Sequence, residues 1–350
     1  MNEMRTLITD TARRIFTDLC DKHLVDATEE GTWPEELWRT LEETGLTMAA
    51  VPEDQGGGGG SLGDAMAVLS QAGHFAVPLP LAETFLAGWA LSGSGRDVPR
   101  GPLTVATESI AMTRDAGGWV LSGSAAQVPW ATLAKGIVIL GEAEGTTHVA
   151  VVDPGTCGIT AGNNLAGEPR EAVNFDGVTV SENEVVVAGP GIDAATLLRL
   201  GALSRAVLMA GALAHILELA VQYALDRTQF GRPIAKFQAI QQQLAALAGD
   251  AAAASRAADV AVQAAEDGDG AIEIAVAKAR IGEAAGICAE IAHQVHGAMG
   301  FTHEHSLHHF TRRLWSWRDE YGAEVHWQAE LGRQIAKAGA DGLWPFLSRT

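Results

Sequence analysis

Apolar residues follow a helical spacing through residues 1–100. They recur three or four positions apart, as on one face of an amphipathic helix, at Leu7, Ala12, Ile15, Leu37, Leu41, Ala65, Val68 and Leu69. The glycine-rich segment VPEDQGGGGGSLGD interrupts the pattern. No Gly-Lys-Ser/Thr follows its glycines and no strand-like run precedes them, so a phosphate-binding loop is not expected. The pattern predicts an N-terminal helical domain.

Short runs rich in β-branched residues replace the helical pattern over residues 101–190. The runs are WVLSG, GIVIL, THVAVVD, REAVNFDGVTVS and NEVVV, and glycine, aspartate and asparagine turns separate them. Short strands between such turns are typical of an antiparallel sandwich or barrel. The pattern therefore predicts a middle antiparallel β domain.

Helical spacing returns over residues 191–350. Apolar residues recur at Leu197, Leu200, Leu208, Ile216 and Leu217. An alanine-rich stretch, a break at EDGDG, a further helical stretch over 272–295 and a tryptophan-rich tail follow. The pattern predicts a C-terminal domain of long helices.

A turn rich in hydrogen-bond donors lies in the segment RTQFGRPIAKFQAIQQQLAAL, which starts at Arg227. Gly231 suits a tight turn, and Pro233 suits the first position of a helix because that position needs no N–H donor. The segment predicts a helix, a turn and a second helix that begins at Pro233. Arg227 and Arg232 could bind an anion there, since a guanidinium offers a fork of donors and the helix N-terminus adds a dipole.

The second helix carries side chains that could contact a flat heterocycle. Phe237 could stack on such a ring, and Gln238 and Gln241 could hydrogen-bond to it. An ordinary helix hairpin, with solvated arginines and a packed phenylalanine, explains the same pattern. The spacing alone leaves both interpretations open.

Composition and charge exclude several classes of partner. The 350 residues carry a formal charge of −19, so neither nucleic acid nor an anionic membrane surface is expected to bind. The three cysteines are scattered and match no disulfide or metal-binding pattern. We expect no secretory signal, because MNEMRTLITD has no basic segment followed by an apolar run. We also expect no membrane span, because the sequence pattern shows no uninterrupted apolar stretch of the length that a bilayer requires. We expect a cytoplasmic enzyme of two or three domains.

Two segments resemble signatures of the acyl-CoA dehydrogenase superfamily. RTQFGRPIAKFQAIQ is similar to R-x-x-F-G-x-x-[LI]-x-x-[FH]-Q-x-[IV]-Q, and QVHGAMGF is similar to Q-x-x-G-G-x-G-[FY]. The resemblance implies an α+β fold with an N-terminal helical domain, a middle antiparallel β domain and a C-terminal four-helix bundle. It also implies FAD as the cofactor and α,β-desaturation of an acyl-CoA thioester as the reaction.

The same two segments carry the positions that the resemblance assigns to FAD. In homo-oligomeric members these positions reach across to the pyrophosphate and adenine of a neighbouring subunit's flavin. In this chain they are Arg227, Gln229, Phe230, Gln238, Gln294, Val295, His296, Gly297 and Ala298. Ala298 replaces the second glycine of the motif and adds a methyl group there. The resemblance implies that the half-site given to a neighbour is retained.

The catalytic base that the resemblance implies is missing from its usual position. Desaturation needs a carboxylate to take the α-proton while the β-hydrogen leaves as hydride. The family's Y-E-G-T motif falls on residues 320–323, where Tyr321 replaces the glutamate, and an alternative base position falls near Gly201 and Ala202. Glu320 is adjacent, but a shift of one helical residue rotates a side chain by about 100°. Glu320 is therefore either a candidate base or a solvated acid of the RDE run.

Elements that the family uses around the flavin ring also depart from its pattern. Most of a loop resembling T-E-P-x-x-G-S-D is missing after Glu108. The following strand reads GSAAQVPWA, with Gln127 and Pro129 in place of the family's tryptophan and threonine. The half of a flavin site that the chain would use for itself is expected to be degraded.

Three functions remain open. The first is a subunit of an α2β2 bacterial acyl-CoA dehydrogenase, of the kind found in steroid side-chain breakdown, that completes the FAD site of a related chain supplying the catalytic glutamate. The second is a self-sufficient flavoenzyme that uses Glu320, and the third is a non-catalytic scaffold that lost the cofactor. Retention of Arg227, Gln238 and Gln294, without a base, favours the first.

Histidines and tryptophans crowd the C-terminal region. His305 and His308 would share a helical face and could form a metal pair, although the flavin motif already accounts for the segment. We expect no metal site. Aromatic spacing favours packing or subunit contact over ligand stacking at Trp315, Trp317, Trp327 and Trp344.

Overall fold

The computed structural model of the chain describes residues 3–115, 117–268 and 270–348, apart from the side chains of residues 346 and 347. The chain divides into two compact units, residues 1–201 and residues 202–350. The first unit holds a group of helices followed by β-sheets, and the second is helical. The division into three domains at residues 100 and 190 remains a prediction.

Amphipathic helices open the first unit, as their apolar spacing predicts. They are α1 (Glu3–Leu19), α2 (Lys22–Glu29), α3 (Glu35–Glu43), α4 (Leu62–His74) and α5 (Leu81–Gly93). The N-terminus of α4 has a capping box, in which the Ser61 and Asp64 side chains each bond to the other residue's backbone N–H. Most of α5 is buried, because its sequence is apolar all round.

The glycine-rich segment before α4 is a tightly packed loop. A Cβ atom at Gly57 would lie 2.1 Å from the Val51 carbonyl oxygen, and one at Gly60 would lie 2.7 Å from the Ala49 carbonyl oxygen. Glycine is therefore required where two stretches of backbone approach each other. Packing accounts for these two glycines without a phosphate.

Two sheets follow the helices of the first unit. Their strands are β1 (Leu103–Val105), β2 (Ile110–Asp115), β3 (Gly118–Ser122), β4 (Ser124–Pro129), β5 (Gly136–Ala143), β6 (Thr146–Val152), β7 (Gly158–Thr160), β8 (Arg170–Asn174), β9 (Thr179–Val180) and β10 (Val185–Val187). One sheet has the order β10-β6-β5-β2-β3-β9 with β1 on β5, and the other has the order β4-β8-β7. Ile110, Leu121, Ile137, Ile139 and Phe175 lie in the core between them.

The β domain is confirmed, but its strands are not antiparallel throughout. Strands β1 and β2 both run parallel to β5, with Leu103 opposite Gly136 and Ile110 opposite Gly141. These two short strands lie one after the other along the same edge of β5. All the other strand pairs that the structure describes in these two sheets are antiparallel.

Long helices form the second unit. They are α6 (Ala194–Asp226, which begins in the first unit), α7 (Gln238–Asp267), α8 (Ala271–His296), α9 (Leu307–Trp317) and α10 (Glu324–Leu347), and α10 is interrupted at Gly339. Helix α8 packs against α7, α9 and α10. Most residues of α8 are buried, so it forms the centre of this unit. The predicted order of helices, sheets and helices is confirmed.

Helix α6 corrects one detail of the sequence analysis. It is long and apolar enough to cross a membrane by length and composition, although no such stretch was expected. In the folded chain, 83% of its most apolar window is buried. Its apolar character is that of a core helix.

Candidate functional site

A β-hairpin, not a simple turn, follows α6. Strands β11 (Thr228–Gln229) and β12 (Arg232–Pro233) pair antiparallel, with Gln229 opposite Arg232. Phe230 and Gly231 form the tip with φ angles of 52° and 77°, as a two-residue turn of type I′ requires. The Ile234 N–H donates to the Arg227 carbonyl at 2.8 Å and closes the base of the hairpin.

The predicted start of the second helix at Pro233 is wrong. Pro233 is extended, with ψ 139°, because it belongs to the hairpin. A short 3-10 helix (Ile234–Lys236) intervenes, and α7 begins at Gln238. The Gln241 amide donates to the Ala235 carbonyl at 2.9 Å and stabilises this connection. Gln241 is therefore engaged within its own chain.

The hairpin presents positive charge and an aromatic ring to the surface. Phe230 is 93% exposed, and the Arg227 side chain is exposed beside it. The Arg232 guanidinium lies 4.4 Å from the centre of the Phe237 ring, as in a cation–π contact. Residues 227–249 contain three cations and no acid, in a chain of formal charge −19. The hairpin therefore presents a local positive charge at the surface of an acidic chain.

A cavity of about 430 Å³ lies between the end of α6, the hairpin and the end of α8. Its lining comprises Tyr223, Arg227, Gln229, Ile234, Gln294, Val295, His296, Gly297, Ala298 and Met299. The structure thus brings together seven of the nine positions proposed from the sequence. Phe230 lies at the exposed hairpin tip and Gln238 is exposed at the start of α7, both outside the lining.

Gly297 ends α8 in a backbone conformation that favours glycine. Its φ is 59° and ψ is −142°, and no atom would lie within 4 Å of an added Cβ. The neighbouring residues Ala298 and Met299 are exposed. The α8 terminus therefore leaves open space beside its backbone, which a ligand could approach closely.

Three rings pack against one another at the cavity: Tyr223 and His296 belong to its lining, and His305 lies beside them. Tyr223 stacks on His296 with ring centres 4.5 Å apart, and His305 meets His296 edge-on at 4.6 Å. Burial lowers the pKa of His296 to about 4, and burial also lowers the pKa values of His293 and His305. These imidazoles are therefore neutral at pH 7. Tyr223 was not predicted, although it precedes Arg227 by one helical turn.

The proposed pairing of His305 with His308 on one helix is wrong. His305 lies in the turn before α9, and its Nδ1 accepts a hydrogen bond from the Leu307 N–H at 3.1 Å. His308 lies inside α9, with its Nδ1 3.1 Å from Arg312 Nη2. The two rings therefore have different surroundings.

The tryptophans mostly pack, as expected. Trp317 and Trp327 are buried, and the Trp315 ring stacks at 5.9 Å from the His293 ring. Trp344 differs, since it is 75% exposed on the last part of α10. Its role in subunit contact remains a prediction.

A network of buried charges surrounds the turn where the catalytic base was expected. Arg205 on α6 is almost fully buried, and its Nε donates to Glu320 Oε2 at 2.6 Å. The Arg205 guanidinium also lies 5.3 Å from the centre of the Tyr321 ring. The Glu320 side chain is 14% exposed, so it is not a solvated acid. It is one half of an ion pair.

Lys278 holds both ends of the same turn. Its Nζ is buried and donates to the Arg318 carbonyl at 2.6 Å and to the Gly322 carbonyl at 2.7 Å. Burial lowers the pKa of Lys278 to about 8, although Glu324 and Glu320 oppose that shift. Glu324 in turn pairs with Arg318 at 3.0 Å. The turn is therefore fixed from several sides.

Backbone conformation adds to this arrangement. Tyr321 has a φ of 53°, which is uncommon for a residue other than glycine, asparagine or aspartate, and Gly322 follows with a φ of 93°. The Trp327 indole N–H lies 3.1 Å from the carbonyl oxygens of both residues. Ala202, near the alternative base position, is buried and apolar.

Sequence reasoning missed Arg205 and Lys278. Arg205 is a cation within an apolar run of α6, and Lys278 is a cation on the mostly buried helix α8. Such cations are rarely buried without a partner, so their position was the available signal. Their partners lie 115 residues away for Arg205 and 40 and 44 residues away for Lys278.

The two residues that replace the family's tryptophan and threonine both lie on strand β4. Gln127 is exposed on β4, whereas Pro129 is buried and offers no N–H. The connection between β1 and β2 is short and covers residues 106–109. Within it, Glu108 accepts a hydrogen bond from the Ala126 N–H at 2.9 Å.

The chain combines N-terminal helices, a β domain and C-terminal helices with a cationic hairpin and a cavity at the end of α8. Comparison with known proteins identifies the family that has this arrangement. Two family models match the chain, "Acyl-CoA dehydrogenase, N-terminal domain" over residues 2–98 and "Acyl-CoA dehydrogenase, C-terminal domain" over residues 191–318. The acyl-CoA dehydrogenase IpdE2 of Mycobacterium tuberculosis is 31% identical over 288 residues, which cover 80% of each chain. The chain belongs to the acyl-CoA dehydrogenase family, whose members are oxidoreductases that act on CH–CH groups.

Solved structures agree with this assignment. The ChsE4–ChsE5 complex from Mycobacterium tuberculosis contains a chain with a TM-score of 0.88 and 24% identity, covering 97% of this chain and 99% of that one. A variant of the Tcur3481–Tcur3483 steroid acyl-CoA dehydrogenase gives a TM-score of 0.85 and 27% identity, with coverage of 97% and 99%. The similarity to the ChsE4–ChsE5 chain establishes the fold, and the similarity to the Tcur3481–Tcur3483 chain extends to the sequence.

Proposed function

We propose that this chain is one subunit of an FAD-dependent acyl-CoA dehydrogenase, and that it completes the FAD site of a related partner chain. The partner supplies the catalytic glutamate for α,β-desaturation of an acyl-CoA thioester. The observation that carries this proposal is a contrast within the second unit. Donors around the cavity at the end of α8 are exposed, whereas Glu320 is held by Arg205.

The residues around the cavity support binding of the pyrophosphate and adenosine half of FAD. Arg227 offers a planar fork of donors that suits phosphate oxygens, and Gln229 and Gln294 offer amides that can donate or accept. The open space beside Gly297 lets a ligand approach the backbone. Bound FAD supplies the acceptor for the hydride. This chain's part is to bind and orient the nucleotide half through Arg227, the hairpin and residues 294–298.

The geometry around Glu320 argues against that residue as a base. A base must take a proton from substrate within hydrogen-bond reach. Glu320 Oε2 is instead 2.6 Å from the buried Arg205 Nε, and protonation would weaken that ion pair while leaving a buried guanidinium less well paired. Tyr321, at the aligned position, is a phenol whose ordinary pKa is about 10. A glutamate from another chain is the simpler source of the base.

Two-chain relatives support a heteromeric assembly. The ChsE4–ChsE5 and Tcur3481–Tcur3483 structures are complexes of two named chains, and the latter is described as a steroid acyl-CoA dehydrogenase. We propose an α2β2 tetramer with fewer flavins than chains. A bulky, steroid-derived acyl-CoA is the proposed substrate class, and the cytoplasm is the proposed location.

Flavin stoichiometry tests the proposal. The chain is purified alone and after coexpression with a related acyl-CoA dehydrogenase encoded beside it, and the visible flavin absorption of each preparation is measured. We expect flavin only in the copurified complex, at fewer equivalents than chains. Full flavin occupancy in the lone chain would contradict the proposal. Absence of flavin from both preparations would favour the scaffold instead.

A substitution separates the first function from the second. Glu320→Gln removes the only acid proposed as a base in this chain, and Glu290→Gln changes an exposed acid on α8 as the matched control. We expect the complex to keep its turnover of acyl-CoA with either substitution. Loss of turnover with Glu320→Gln alone, in a complex that still binds flavin, would identify a self-sufficient enzyme.

A further inference from the structure

Strand β4 lies at the edge of its sheet and contains a bulge. The order of the sheet is β4-β8-β7, so among the described strands β4 pairs with β8 alone. Its pairing with β8 shifts between Ala125 and Val128, where β4 has an extra residue. The bulge residues 126–127 are exposed. An edge strand with a bulge presents backbone groups that another strand or a ligand can bind.

The stretch from β1 to β2 covers this edge with its side chains. Glu108 Oε1 accepts a hydrogen bond from the Ala126 N–H at 2.9 Å, and Thr104 Oγ1 donates to the Pro129 carbonyl at 2.5 Å. The Thr107 hydroxyl donates to the other carboxylate oxygen of Glu108 at 3.2 Å. Both oxygens of Glu108 are therefore engaged, and the stretch follows β4 from Pro129 back to Ala126.

The contact between Glu108 and Ala126 closes the space beside the bulge. Two atoms 2.9 Å apart are in direct contact, so no ligand atom fits between Glu108 Oε1 and Ala126 N. A hydrogen bond from an N–H to a carboxylate is stronger than one to a neutral acceptor. A ligand carbonyl that needs the Ala126 N–H must therefore displace a carboxylate that already binds it.

The residues at this edge do not fit a flavin ring. The contact joins the two elements that the resemblance assigns to the ring, the loop after Glu108 and the strand GSAAQVPWA. The pyrimidine part of a flavin presents carbonyl oxygens, which need N–H donors. At this edge Glu108 takes the Ala126 N–H, and Pro129 has no N–H to offer. A carboxylate beside the same donor also repels the partial negative charge of a carbonyl oxygen.

We infer that Glu108 is an occluding residue, whose carboxylate binds the edge of β4 and excludes a flavin ring from this chain's own ring-side site. This inference rests on the proposed function and supplies a cause for a complex with fewer flavins than chains. The ring-side site is then closed by one side chain, in addition to the changes at Gln127 and Pro129. Removal of the Glu108 carboxylate should therefore open the edge to a flavin ring.

Riboflavin tests the inference, because it has the flavin ring without the adenosine half that Arg227 is proposed to bind. The chain is purified alone, and its dissociation constant for riboflavin is measured by quenching of riboflavin fluorescence. We expect Glu108→Ala to bind about tenfold more tightly than the wild-type chain, because the Ala126 N–H is then available. Glu108→Gln should stay close to wild type, since its amide oxygen can still accept from Ala126. The matched control is Glu142→Ala, at an exposed β-domain glutamate that accepts a hydrogen bond from Thr147, and it should change nothing.

Hydrogen exchange of the Ala126 amide shows whether a variant has opened the edge, and it should be faster in Glu108→Ala than in the wild-type chain. Unchanged exchange, or unchanged riboflavin binding despite faster exchange, would overturn the role of Glu108 alone, since the flavin content of the wild-type complex tests the proposed function separately. Full occupancy of the lone wild-type chain by FAD would contradict both. If Glu108→Ala fails to fold, Glu108→Asp provides the same test, because its carboxylate is one methylene further from Ala126.

Discussion

At the scale of residues, the second unit has an unusual number of buried charges around the turn 318–322. Arg205, Lys278 and Glu324 are all buried, and each has an oppositely charged or carbonyl partner. Taking such groups out of water is costly unless they are paired. The network therefore stabilises one conformation of the turn, in which Glu320 is paired with Arg205 and does not face a substrate as a free carboxylate.

Removal of the Lys278 ammonium should show how strongly the turn depends on it. Lys278→Met keeps most of the side-chain volume but leaves the Arg318 and Gly322 carbonyls without their buried donor. We expect a loss of about 3–5 kcal/mol in the free energy of unfolding, measured by urea denaturation. Lys337→Met, at an exposed lysine on α10, is the control and should change it by less than about 0.5 kcal/mol. Equal effects would contradict the structural role of Lys278.

The histidines under the cavity predict a loss of stability in acid. An unfolded histidine binds a proton near pH 6.5, whereas folded His296 does so only near pH 4. Between these values the unfolded chain binds more protons, so stability is fully present above pH 6.5 and falls as the pH decreases toward 4. Solvent screening reduces such electrostatic effects, so His296 alone should lower the free energy of unfolding by roughly 2 kcal/mol over this pH range.

Urea denaturation at pH 7.5 and at pH 5 checks the acid effect. His296→Phe should flatten the difference between the two pH values, because the phenyl ring does not titrate. His303→Phe, at an exposed histidine, is the comparison variant. A pH dependence that is the same in both variants would place the effect elsewhere in the chain.

At the scale of elements, regular periodicity was a reliable guide and turn chemistry was not. The apolar spacing predicted the helices and the β-branched runs predicted strands β3, β5, β6, β8 and β10. The hairpin after α6 was missed because its tip is Phe230-Gly231, and not the Asn-Gly or Asp-Gly pair that signals a two-residue turn. The parallel pairing of β1 and β2 with β5 was missed because pairing partners are not encoded in local alternation.

The hairpin tip provides a matched pair of glycine substitutions. Gly231 has a φ of 77° and open space where a Cβ atom would lie, so Gly231→Ala should cost about 1 kcal/mol through backbone strain and not through a clash. Gly249 lies inside α7 with equally open space, and Gly249→Ala should stabilise the helix by about 1 kcal/mol. Thermal unfolding of both variants measures the opposite signs. Stabilisation by Gly231→Ala would show that the tip does not need its left-handed conformation.

At the scale of the whole molecule, the sequence predicted the order of helices, sheets and helices. It did not predict the surroundings of Glu320, because the Arg205–Glu320 pair joins residues 115 positions apart. The cavity residues were predicted as a group only where a motif names them, as in residues 294–298. Tyr223, which lies outside both motifs, entered the lining through the fold alone. Long-range contacts of this kind depend on tertiary packing, which a local pattern does not specify.

The proposed assembly predicts that a residue of the chain without a base controls the flavin of the complex. Arg227→Met removes the guanidinium that faces the cavity but keeps an unbranched side chain of similar length. If Arg227 binds the pyrophosphate, its loss should weaken FAD binding by about 2 kcal/mol, or roughly 30-fold in the dissociation constant. Arg256→Met, at an exposed arginine on α7, preserves the same change in net charge and should leave FAD binding unaltered.

Measurement of flavin release and of turnover in the same complexes separates binding from chemistry. With FAD in excess, the Arg227→Met complex should regain its turnover, because in the proposed assembly the glutamate that takes the α-proton belongs to the partner and is unchanged. A partner chain whose catalytic glutamate is replaced by glutamine should show the converse, with full flavin and no turnover. Turnover that stays low in the Arg227→Met complex at saturating FAD would mean that this chain also takes part in the chemical step, contrary to the division of roles proposed for the two subunits.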